Sequence, residues 1–112
     1  MMLMRRVTNN GYWCGCCHNE WEHCEWVDDI TPEQFIYLVY AEHECDNFQG
    51  VSYEREGEVV YTCRVDGGKG FEFWKLIKPN GETLPIYSWH RSANLKQIKC
   101  SREEALAWLV ED

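Results

Sequence analysis

The stretch GVSYEREGEVVYTCRV, Gly50–Val65, decides the fold. In its second half Val59, Tyr61, Cys63 and Val65 share one parity, and Val60, Thr62 and Arg64 share the other. A period of two marks a strand, because successive side chains of an extended backbone point to opposite faces. Glu56-Gly57 separates the two halves, and glycine lets the chain fold back there. The stretch is therefore expected to form an antiparallel hairpin, with Cys63 inward and inert.

The pattern continues toward the C-terminus. DGGKG, Asp66–Gly70, is expected to be a loop that uses positive φ. FEFWKLIK, Phe71–Lys78, carries apolar groups at both parities and predicts a central strand covered on both faces. PNGE, Pro79–Glu82, is a turn signal. TLPIYSWHR, Thr83–Arg91, returns as a strand in which Pro85, lacking an N–H, marks an edge or a bulge. NLKQIKC, Asn94–Cys100, offers a last short strand. SREEALAWLVED, Ser101–Asp112, then opens a helix with Ser101 as N-cap and Glu104 as its capping-box partner. Ala105, Leu106, Trp108 and Leu109 give that helix an apolar stripe.

Toward the N-terminus, TPEQFIYLVYAEHEC, Thr31–Cys45, signals another helix. Thr31 caps it, Pro32 suits its first position, and Gln34 closes a capping box. Phe35, Leu38 and Val39 are expected to face the core, and the helix to end near Glu44. Consecutive strands with two helices predict an α+β fold. Its parts are a small antiparallel meander of four to five strands, two helices and a zinc-stapled N-terminal segment, in one domain over 1–112.

The staple rests on YWCGCCHNEWEHCEW, Tyr12–Trp26, which holds four cysteines and two histidines. Zinc takes thiolate and imidazole ligands, usually four in a tetrahedron. Cys14-Gly15-Cys16-Cys17 has the two-residue spacing of a metal knuckle, and Gly15 permits the tight backbone. Cys24 follows, and His43 and Cys45 lie where the first helix is expected to end. The ligand set is Cys14, Cys17, Cys24 and Cys45, within a zinc-binding segment at about 12–45, with Cys16, His23 and His43 as reserves. The total of seven cysteines is odd, so complete pairing within the chain is impossible. The N-terminal MMLMRRV lacks the order and length of a secretory signal, and no long apolar run is present. The expected location is the cytoplasm, where clustered cysteines hold metal more often than they form disulfides.

Catalytic zinc would need an open coordination position and a base. His43-Glu44 lacks the second histidine of HExxH, and His18-Asn19-Glu20 is followed by no P-C-x-x-C. Cys63 and His90 could be imagined as nucleophile and base, but a buried thiol on a strand is the commoner arrangement. No catalytic constellation emerges, so a binding protein rather than an enzyme is expected.

Charge points the same way. The formal net charge is −8, and residues 1–66 account for −9 of it. From Glu20 to Glu58 twelve carboxylates face one basic residue, Arg55. Such a surface repels a phosphate backbone and attracts a basic protein. Glu20, Trp21, Glu22, Glu25, Trp26, Asp28 and Asp29 form the expected partner-binding set, with the tryptophans as anchors between carboxylates.

In size, charge and its CGCCHNEWEHC cluster the chain resembles the anti-CRISPR proteins of phages and mobile elements, among them zinc-containing inhibitors of type II effector nucleases. Those proteins share no common motif, so the resemblance carries over no residue roles. It implies contact with a basic lobe of a CRISPR effector nuclease that blocks guide or target DNA loading, in the cytoplasm of a bacterial host, without chemistry. Two other readings compete. One is a zinc-ribbon-like nucleic-acid or transcription-complex module, against which stands the scarcity of basic residues near the knuckle. The other is a thiol redox or metal-handling protein using Cys16 with Cys14 or Cys17.

Overall fold

The computed structural model describes residues 3–9, 22–41, 50–68, 71–90, 93 and 95–111. The strands are β1 (Leu3–Asn9), β2 (Glu22–Asp28), β3 (Gly50–Arg55), β4 (Glu58–Gly68), β5 (Phe71–Ile77), β6 (Thr83–His90) and β7 (Leu95–Ile98). The helices are α1 (Pro32–Tyr40) and α2 (Arg102–Val110). All seven strands join one antiparallel sheet in the order β2-β1-β3-β4-β5-β6-β7. The α+β class holds, but the sheet is larger than the expected four to five strands. The additional strands are β1 and β2. From β3 onward the chain is the expected meander, whereas β2 reaches β3 through α1 with β1 lying between them.

The β3–β4 hairpin forms as its alternation demands. Tyr61, Cys63 and Val65 are buried, whereas Val59, of the same parity but beside the turn, is 42% exposed. The turn carries positive φ at both central residues, Glu56 at 53° and Gly57 at 84°, the geometry that matches strand twist in a two-residue hairpin. Gly50 is needed for another reason: a Cβ there would stand 2.9 Å from the Cys63 carbonyl oxygen. Further along, β4 runs on through Asp66, Gly67 and Gly68, so the first three residues of DGGKG are strand rather than loop.

β5 is central in the sheet but covered on one face only. Glu72, Trp74 and Leu76 are buried while Phe73, of the other parity, is 52% exposed. The expectation of two covered faces fails because both helices add to a single core. Pro85 sits at a bulge and not at an edge. Trp74 faces Tyr87 and Lys75 faces Pro85, so Ile86 is the extra residue. Two residues set against one kinks the strand, and Ile86 and Tyr87 are both buried. The Ile86 carbonyl then accepts from the amides of Lys99 and Cys100 at 2.8 and 3.1 Å.

Both capping boxes are present, Thr31 with Gln34 and Ser101 with Glu104. α1 ends at Tyr40, with Ala41 already extended, and so stops short of Glu44. Phe35 and Val39 face the core as expected, but Leu38 is 40% exposed and Ile36 and Tyr40 take the remaining buried positions. The Phe35 ring stacks on Tyr61 at 5.1 Å and meets Tyr53 edge-on at 5.6 Å. The Tyr40 hydroxyl donates to the Cys100 carbonyl at 2.7 Å and ties the end of α1 to the start of α2. Lys78 Nζ donates to the Glu111 carbonyl at 2.9 Å, beyond the last turn of α2, and lies over the Trp108 ring.

Candidate functional site

The two ends of the sheet carry different chemistry. At one end Asn9 is the register partner of Glu22 on one side and of Gly50 on the other. Adjacent strands lie about 4.8 Å apart, so these three positions form one corner. The β1–β2 connection leaves and re-enters the sheet there, and the connection from α1 arrives there at Gly50. Cys14, Cys16 and Cys17 belong to the first connection, and His43 and Cys45 to the second. All five lie outside the described residues. Of the preferred zinc ligands only Cys24 is described. It is exposed on β2, two residues in from this corner, and accepts from Arg5 Nη2 at 3.2 Å. His23 is its neighbour on the strand. Among the described residues no group of three or more His, Cys, Asp or Glu side chains is placed to hold a metal.

The opposite end is acidic. β2 finishes there at Asp28, β3 turns into β4 there through Glu56-Gly57, and α1 starts from the same side at Pro32. Asp28, Asp29, Glu33, Glu56 and Glu58 are all exposed. Arg55 donates to Asp29 Oδ1 through Nε at 3.0 Å and Nη2 at 2.7 Å. That contact, before its hydrogen bond with Tyr61, holds the guanidinium still further on its charged side. Trp26, two residues back along β2, is 69% exposed.

The expected partner-binding set therefore divides. Trp26, Asp28 and Asp29 lie together at the acidic end. Glu25 has the opposite parity to Trp26, is half-buried, and pairs with Arg6. Glu22 lies on β2 at the far corner, and Glu20 and Trp21 lie outside the described residues. Glu33, Glu56 and Glu58 join the acidic end, although the sequence reading did not single them out. Only the antiparallel register, which brings the β3–β4 turn to the end where β2 stops, could have shown that.

The remaining chemistry-bearing side chains are structural. Cys63 is 1% exposed, and burial pushes its thiol up to about 12, so the sulfur keeps its proton. It shares a sheet face with its partner Leu76 and with Trp74, whereas His90 faces Phe71 on the other parity. The sheet stands between Cys63 and His90, and His90 Nδ1 accepts from the Ala93 amide at 3.3 Å. Cys100 is buried, and desolvation before the nearby Glu104 charge raises its thiol. Burial likewise raises the Tyr40 hydroxyl. Among the described residues no helix is long and apolar enough to cross a membrane. No protein-family model matches the chain, and neither a curated protein nor a solved structure matches it.

Proposed function

We propose that this chain is a zinc-stabilised acidic binding protein that inhibits a basic, nucleic-acid-handling protein by direct contact, in the manner of an anti-CRISPR. The partner surface is the acidic end of the sheet, with Trp26 as anchor, Asp28 and Asp29 beyond it at the end of β2, and Glu56 and Glu58 across β1 at the β3–β4 turn. The observation that carries this reading is the 69% exposure of Trp26 on the strand that ends at Asp28, with Asp29 following it. An exposed indole fits an interface anchor, and carboxylates near it steer a basic partner. Glu56 adds weight. A glutamate at φ 53° occupies a position where asparagine or glycine sits with less strain, and strain kept on an exposed acid points to a use for the acid.

Zinc at the opposite corner is part of the proposal. Cys14, Cys17, Cys24 and Cys45 would hold it, and it would supply folding free energy that local sequence does not. Two facts support this: both cysteine-bearing connections are anchored where Asn9, Glu22 and Gly50 meet, and the Arg5 guanidinium lies beside Cys24. Four thiolates around one Zn²⁺ leave net negative charge, which a neighbouring cation offsets. A cytoplasmic location goes with this reading, because zinc-held thiols persist where thiols stay reduced. A nucleic-acid module is disfavoured because Arg5, Arg6 and Arg55 already face Glu54, Glu25 and Asp29.

The test is titration of the full chain into a panel of guide-loaded type II effector nucleases, reading binding and target-DNA loading, with labelled DNA alone as a control. Binding to a nuclease with blocked loading, weakened by Trp26→Ala and by Asp28→Lys, is expected. Firm binding to bare DNA, or no effect on any nuclease, rejects the reading.

A further inference from the structure

Among the described residues α1 covers only part of the sheet beneath it. Its nine residues reach about 14 Å at 1.5 Å each, whereas the eleven residues of β4 reach about 36 Å. Under the C-terminal half of α1 a cavity of about 300 Å³ opens against β1, β3, β4 and β5. That volume is at the lower end of small-molecule sites, about 300–1,000 Å³. Tyr53, Trp74 and Val39 give it ring and aliphatic walls, Leu38 stands at its rim, and Arg6 and Thr8 bring polar atoms from β1.

Arg6 sets the chemistry. Its Nη2 pairs with the Glu25 carboxylate, so the charge already has a counterion. Its Nε is buried and has no hydrogen-bond partner among the described residues. Buried N–H groups are rarely left unpaired, because nothing replaces the lost water. An occupant that answers this site has one acceptor for Nε and a flat apolar body for the rings. A carboxylate would compete with Glu25 for the same cation, and a hydrocarbon would leave the N–H unpaired. Cys63 also lines the cavity, and its protonated thiol offers no nucleophile.

We propose that this cavity binds a small uncharged planar molecule bearing a carbonyl, such as an aromatic amide, with the ring against Tyr53 and Trp74 and the carbonyl accepting from Arg6 Nε. The site is separate from the acidic end and stands whether or not the inhibitor reading does.

The experiment titrates the full chain with benzamide, benzoate and toluene, followed by tryptophan fluorescence and amide chemical shifts. Benzamide is expected to bind saturably, about fivefold or more tighter than the other two, the weight of one hydrogen bond. Leu38→Trp, at a partly exposed rim position, closes the mouth and abolishes binding. Val51→Phe fills the space from β3 and gives the same loss should the first variant fail to fold. Arg6→Lys keeps a cation opposite Glu25 but lacks Nε, and erases the preference for benzamide over toluene. Absence of saturable benzamide binding overturns the proposal. So do equal affinities for the three probes, or binding indifferent to all three substitutions.

Discussion

The Asn9–Glu22–Gly50 corner and the Asp28–Glu56–Glu58 end are the two termini of one set of strands, and the cysteine-bearing connections belong to the first alone. The connections at the first hold cysteine and histidine together with Glu20, Glu42, Glu44 and Asp46; the second has carboxylates and one exposed indole without cysteine. Soft ligands at a place where three strand ends converge suit a metal that fixes the ends together. Carboxylates in water around a ring suit a surface meant for another molecule. On the proposed reading the first is a holding end and the second a docking end, with the aromatic core between them as a common support.

Substitutions can break or sharpen that separation. Phe35→Ala strikes the common support. The ring is fully buried between Tyr53 and Tyr61, and its loss is expected to cost about 3–5 kcal/mol in denaturant unfolding. Trp26→Ala should divide stability from binding. Stability stays within about 0.5 kcal/mol, while calorimetry with the partner shows a loss of about 2 kcal/mol, roughly 30-fold. Equal losses in both would mean that the indole supports the fold instead. Ser101→Ala removes the N-cap of α2, a residue in neither group of ligands. About 1 kcal/mol of stability is expected to go, with partner affinity unchanged. Glu56→Asn has the smallest effect. Relief of the strained φ should raise stability by about 0.5–1 kcal/mol, and loss of the carboxylate should lower partner affinity by a similar amount.

How much of this was legible in the sequence depends on where the information lies along the chain. The two capping boxes, the Glu56-Gly57 turn and the alternation of β4 are written within a few residues of each other, and each formed where it was read. β1 and β2 escaped because LMRRVTN and EHCEWVD show no clean alternation. The inner face of β1 carries Arg6 and Thr8 beside Met4, and β2 sets Glu25 beside Val27. Only pairing with β3 gives these strands their place. The early stop of α1 at Tyr40 was hidden for a similar reason. Ala41-Glu42 is good helical sequence, yet Tyr40 is held by its hydroxyl to the carbonyl of Cys100, sixty residues away. The carboxylate cluster was half legible: the run at Asp28-Asp29 is visible as a run, but its union with Glu56 and Glu58 exists only through register.

The most direct test of the account is the metal content of the native chain. Protein purified without added zinc is examined by elemental analysis and non-denaturing mass spectrometry, and then treated with iodoacetamide before and after chelation. One zinc per chain is predicted, with Cys14, Cys17, Cys24 and Cys45 shielded until the ion is stripped. A folded, metal-free protein whose four thiols alkylate at once, or are joined to one another as disulfides, would contradict it.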